Sequence, residues 1–185
     1  MYARTRIKGN AALVVVDMSV EQVSELKDRK EDIIESIRNL ASRPEWECKV
    51  DSHLWVKDPS QTSLSEIYPG IGAAGTEGAE LIPELHDLGL EFVEKKHFSS
   101  FVNSSLFNRL QESNVNTVVI VGINTDYCIF LTAMDSFARG RFKTLVVADA
   151  VGSISGRLGH EEGLRRIQAH LPTGSVVHSR CITFD

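Results

Sequence analysis

The chain has 185 residues, 42% of them apolar, and a net charge of −5. That length suits a single domain, 1–185, with a sizeable core, and the acidic balance excludes a non-specific nucleic-acid binder, which needs a basic face. No apolar run approaches the roughly 20 residues that span a bilayer. Polar Lys8-Gly9-Asn10 follows the basic start where a signal peptide needs its apolar core, so a cytoplasmic protein with no membrane or nucleic-acid partner is expected.

In chain order, Ala11–Val16 is an apolar run ending at Asp17, which predicts a central strand. Residues 27–42 carry Ile33, Ile34, Ile37 and Leu40 at helical spacing, closed by Pro44. Residues 46–50 predict a short strand that leads into Asp51-Ser52-His53. Residues 56–78 hold Pro59, Pro69 and the glycines Gly70, Gly72, Gly75 and Gly78, a long irregular loop of the kind that covers sites. Residues 90–93 predict a strand ending in Glu94-Lys95-Lys96, and 105–112 a short amphipathic helix. Strands at 117–121 and 144–148 flank a helix, a further helix is predicted over 159–170, and a last strand over 175–178. Strands alternating with helices imply a three-layer α/β/α fold with a mostly parallel central sheet.

Ligands in such sheets bind outside the carboxyl ends of the strands. Asp17, Asp51, Lys95 and the segment from Gly122 to Cys128 all fall at such ends. Cys128 sits where the strand Val118-Val119-Ile120-Val121 meets the next helix, which Thr125 or Asp126 could cap. A sulfur in the first helical turn feels partial positive charge, which favours the thiolate and prepares a nucleophile. The other two cysteines, Cys48 and Cys181, are distant in sequence. No C-x-x-C pair exists, so neither a zinc knuckle nor a disulfide framework is indicated.

With these residues in this order, the chain resembles the isochorismatase-like cysteine hydrolase superfamily, which includes nicotinamidases. The segment Val121-Gly122-Ile123-Asn124-Thr125-Asp126-Tyr127-Cys128, the run Lys95-Lys96-His97-Phe98-Ser99-Ser100-Phe101 and Val14-Val15-Val16-Asp17 carry the resemblance. Counting back from Phe101 selects Lys95 rather than Lys96. The resemblance implies a catalytic triad of Asp17, Lys95 and Cys128, an oxyanion hole from the backbone N–H groups of Asn124 and Cys128, and a cis peptide between Ile123 and Asn124. It also implies a homo-oligomer acting on a small molecule.

Two places depart from the family pattern. Nicotinamidases hold a divalent metal through an Asp-x-His pair and a later His. Asp51 and His53 fit the pair, but Ile71 stands at the later position, and an alkyl group cannot ligate. No cofactor is therefore expected, beyond a weak divalent metal at Asp51 and His53. His53 reads instead as a hydrogen-bonded residue of the substrate pocket. The stretch after Asp17 also lacks the family's aromatic residue. Trp55 is a candidate replacement wall, or else a loop anchor. His97 and Phe98 read as structural, and Phe101 as core. The expected chemistry is cleavage of a small amide through a Cys thioester. The alternatives are vinyl-ether hydrolysis of the isochorismatase type and a non-catalytic scaffold.

Overall fold

A computed structural model describes residues 2–185; Met1 of the basic start lies outside the described residues. Its centre is a six-stranded sheet in which every neighbouring pair is parallel. The strands of the chain are β1 (Thr5–Ile7), β2 (Ala11–Val16), β3 (Cys48–Ser52), β4 (Glu91–Phe92), β5 (Thr117–Ile123), β6 (Lys143–Gly152), β7 (Val176–Val177) and β8 (Ile182–Phe184). The helices are α1 (Val20–Ser24), α2 (Lys30–Ala41), α3 (Leu64–Ile67), α4 (Leu106–Glu112), α5 (Phe130–Ala138) and α6 (Gly156–His170).

The central strands β2 and β5 are buried along their whole length, which is why they read as continuous apolar runs rather than alternating ones. Their side chains still sort by a period of two. Leu13, Val15, Val119 and Val121 meet Ile33, Ile37 and Leu40 of α2 on one face. Val14, Val16, Val118 and Ile120 meet Leu106, Phe130, Ala133 and Ile167 of α4, α5 and α6 on the other. The expected three layers follow directly from this sorting.

The strand order is β4-β3-β2-β5-β6-β7. After β2 the chain adds strands toward one edge, then crosses to β5 and adds toward the other. The order therefore reverses between β2 and β5, and the helices diverge there and open a crevice. Asp17 follows β2 and Cys128 follows β5, so the topology brings them to that crevice.

Two features went unread in the sequence. A separate parallel pair joins β1 to β8, with Thr5 opposite Ile182 and Ile7 opposite Phe184. Three-residue strands at far ends of a chain leave no periodic trace. Short helices also went unread: α1 begins just after Asp17, and α3 lies inside the 56–78 stretch that reads as an irregular loop.

Gly122 explains how tightly β2 and β5 meet. It lies opposite Val16 with φ of 109°, and a Cβ there would stand 2.1 Å from the Val16 carbonyl oxygen. The position combines a backbone conformation that disfavours side chains with a backbone clash that no rotamer relieves. Gly122→Ala is expected to destabilise the fold by about 3 kcal/mol or more, lowering the midpoint of thermal unfolding by roughly 6–12 °C for a chain of this size. Calorimetry on the variant checks this.

Candidate active site

Asp17 leaves β2 in the left-handed region, with φ of 52°, and its backbone N–H donates to the Ser52 carbonyl at 3.1 Å. This sharp exit turns the carboxylate under the crevice. One oxygen, Oδ1, accepts from the Leu54 N–H at 3.1 Å; the other, Oδ2, accepts from Lys95 Nζ at 2.5 Å. Lys95 is held by an extension of β3 and β4: its N–H donates to His53 O at 3.2 Å, and its carbonyl accepts from Trp55 N at 2.9 Å. Its Nζ also lies 3.6 Å from Cys128 Sγ. All three side chains are buried, Asp17 and Lys95 at 0% exposure and Cys128 at 3%. Lys95 thus touches both other members of the sequence-predicted trio.

The peptide between Ile123 and Asn124 is cis. Beyond it, Thr125–Ile129 forms a π-helical turn in which the N–H groups of Tyr127 and Ile129 both donate to Asn124 O, at 3.1 and 3.0 Å. Cys128 therefore sits on a wider turn ahead of α5, rather than in the first turn of an ordinary α-helix. Asn124 takes the capping position, while the Thr125 hydroxyl donates to Gly152 O at 2.9 Å. His160 Nδ1 stands 3.0 Å from that hydroxyl, and Arg29 faces His160 Nε2 at 3.3 Å. Burial and the neighbouring Arg29 charge push the His160 pKa down, so the ring is neutral, donating from Nδ1 and accepting at Nε2. Gly163 of α6 lets this helix lie against the turn, because a Cβ there would come within 2.5 Å of the Thr125 carbonyl carbon.

The electrostatics differ from the sequence expectation. Burial pushes the Cys128 thiol up to about 12, against the pull of the Lys95 ammonium and the Asn124 N–H. The partial charge of a helix start is too weak to outweigh desolvation. The resting sulfur is a thiol, and ionising it needs a base in contact. For Lys95, burial acts to lower the pKa, but the Asp17 charge, with the hydrogen bonds to Asp17 and Cys128, outweighs it and holds the ammonium above its ordinary range.

A cleft of about 700 Å³ opens onto Cys128 and Asn124. Its walls include Leu54, Tyr68, Ile71, Phe98, Tyr127 and Ile154. Tyr68, Phe98 and Tyr127 form a run of rings with centroids 6.4 and 5.9 Å apart. Phe98, read as structural, is a wall. His53 and Trp55 do not line this cleft; the residue between them does, since side chains alternate along an extended segment. They pack instead with Phe92, with ring centroids at 4.8 Å for His53 and 5.6 Å for Trp55. Tyr68 lies on a loop and Tyr127 beside Cys128, and only Tyr127 carried a sequence hint.

The donors for a metal are sparse. Asp51 Oδ1 and His53 Nδ1 are spent on each other at 2.9 Å, and the buried His53 Nε2 has no partner. Burial raises the Asp51 pKa, with His53 opposing. Ile71 lies in the cleft wall. Among the described residues no group of three or more His, Cys, Asp or Glu is placed to hold an ion. This set does not fit a firmly held zinc ion, which takes at least three protein ligands. Also among the described residues, no helix is long and apolar enough to cross a membrane.

A model of the isochorismatase domain matches residues 11–179. The chain belongs to the isochorismatase family. It is 27% identical over 161 residues to nicotinamidase 3 of Arabidopsis thaliana, covering 85% of this chain and 80% of that one. It is 28% identical over 99 residues to an uncharacterised isochorismatase family protein of Bacillus subtilis, 49% of this chain and 54% of that protein. The match thus spans about half the length of that relative. Among solved structures, an isochorismatase-like hydrolase from Alkaliphilus metalliredigens superposes with a TM-score of 0.73 at 25% identity, over 92% of this chain and 94% of that one.

Two expectations follow for the buried trio. Lys95→Met leaves the Asp17 charge enclosed without its partner, and is expected to cost about 3–5 kcal/mol in urea unfolding, where a solvated lysine would cost under about 0.5. The thiol sets a pH dependence. The folded group ionises near 12 and an unfolded one near 9.0, so the unfolded state releases its proton first and this group's contribution to stability falls as pH rises above 9. Wild type is therefore expected to lose stability more steeply than Cys128→Ala between pH 9 and 11, by about 1 kcal/mol per pH unit.

Proposed function

We propose that this protein is a cysteine hydrolase that cleaves a small amide, with Cys128 as nucleophile, Asp17 as general base and acid, and Lys95 as the cation that holds both. The contact of Lys95 with Asp17 and Cys128 beneath an open cleft carries this reading. Asp17 takes the Cys128 proton as sulfur attacks the amide carbonyl carbon. The negative oxygen of the tetrahedral intermediate is received by the backbone N–H groups of Asn124 and Cys128. Asp17 then returns the proton to the leaving nitrogen as the C–N bond breaks, leaving a thioester. Water attacks the thioester carbonyl while Asp17 accepts its proton. The C–S bond breaks, the acid departs, and the sulfur recovers its proton.

A thiol near 12 suits this cycle. The proton leaves only when a substrate carbonyl is present to receive the electron pair of the sulfur, so the resting group is protected from adventitious oxidation. Nicotinamide, the substrate named for the Arabidopsis relative, is one candidate, and the rings of Phe98, Tyr68 and Tyr127 suit a flat heterocycle. The reaction is proposed to run without a tightly bound metal, because Ile71 replaces the third ligand and Asp51 and His53 bond to each other.

Cys128→Ala and Asp17→Asn are each expected to lower amide turnover by about 10³-fold or more in a screen of small amides with ammonia release as readout. Dialysis against a strong chelator is expected to leave the wild-type rate unchanged. Amide turnover that survives in Cys128→Ala overturns the thioester route, and vinyl-ether hydrolysis retained by that variant favours isochorismatase-type chemistry. A rate lost to chelation and restored by a divalent ion overturns the metal-independent reading.

A further inference from the structure

The charge carried by the cleft is one-sided. Its polar wall is α1 and the residue after it, which contribute Glu21, Gln22 and Glu25. Among the described residues lining the cleft there is no lysine, arginine or histidine. At the floor, Lys95 is matched by Asp17 and the sulfur is a neutral thiol, so the floor adds no net charge. Glu21 Oε1 accepts from the Gly72 N–H at 2.6 Å, which fixes that carboxylate against the loop at the mouth. Gln22 is buried to more than nine-tenths, and its carboxamide nitrogen has no hydrogen-bond partner. The same cleft is lined by the aromatic run of Tyr68, Phe98 and Tyr127, and aromatic ring faces also attract cations.

Two carboxylates and three rings around an apolar cleft raise the local concentration of cations and oppose anions. A substrate carboxylate entering this space would find no counter-charge beyond a lysine already engaged. We propose that the cleft selects amides whose end remote from the scissile carbonyl is positively charged, and rejects amides that carry a carboxylate there. The proposal rests on the amide-hydrolase reading, and names the substrate class for the same site.

Methanethiosulfonates of three charges read the cleft directly, without turnover. The Cys128 sulfur attacks the sulfenyl sulfur of the reagent, a disulfide forms, and methanesulfinate departs with the bonding pair. The reagents are the cationic trimethylammonium-ethyl, the neutral methyl and the anionic sulfonato-ethyl compounds, and peptide mass mapping separates Cys128 from Cys48 and Cys181. After normalisation to a free thiol, Cys128 is expected to react about tenfold faster with the cationic than with the anionic reagent at low ionic strength, the ratio shrinking in salt. In the double variant Glu21→Gln, Glu25→Gln the ratio is expected to fall below about three. A ratio at or below one in the wild type, or one untouched by the double variant, overturns the proposal.

A second measurement covers the case in which no reagent reaches the sulfur. Titration calorimetry of 4-(aminomethyl)benzamide and 4-carbamoylbenzoate is expected to show tighter binding of the first, and equal or reversed affinity overturns the proposal. The cationic preference together with no hydrolysis of any amide would overturn the hydrolase reading and leave the charge selection standing.

Discussion

A lysine with no water contact must have its charge answered nearby, and everything around Lys95 follows from that requirement. An ammonium moved out of water costs several kcal/mol unless a counter-ion and hydrogen-bond acceptors replace the solvent. Asp17 supplies both, at 2.5 Å, and is in turn steadied by the Leu54 N–H. The pair is possible because two parallel strands end side by side and the chain turns sharply at Asp17, while the β3 and β4 extensions deliver Lys95 from the opposite flank. Lys95 is the bulkiest of the fully buried side chains, and it occupies a place that a leucine would fill in an ordinary core.

The ion pair also decides the state of the sulfur. Lys95 alone would favour a thiolate, but its charge is shared with Asp17, and burial then keeps the proton on Cys128. The arrangement separates positioning from activation. In the proposed cycle Lys95 fixes where the sulfur and carboxylate stand, and Asp17 governs when the proton moves.

The central strands were legible because burial on both faces writes an unbroken apolar run, as in Ala11–Val16, and α2 because its isoleucines recur at helical spacing. Helix bounds shifted inward, from 27–42 to Lys30–Ala41, since frayed ends carry little pattern. The meeting of Asp17, Lys95 and Cys128 was legible through motif resemblance more than through chemistry, because a lone lysine in a sequence reads as solvated. The walls were less legible. His53 and Trp55 differ from Leu54 only in the direction their side chains take along an extended segment, and Tyr68 reaches the cleft from a loop whose path no local rule dictates. The thiol expectation reversed because desolvation is a property of the assembled core and leaves no mark in the neighbouring residues.

Helix α6 supplies none of the groups that would react, yet its Gly163 rests against the backbone that carries the sulfur. A fragment ending after β6 would keep the carboxylate, the ammonium and the thiol while losing the surface that braces the turn between them. The distal part of the chain thus acts as a backstop: the three side chains come from early and middle segments, and the turn carrying the sulfur is braced from behind by a helix formed later in the sequence.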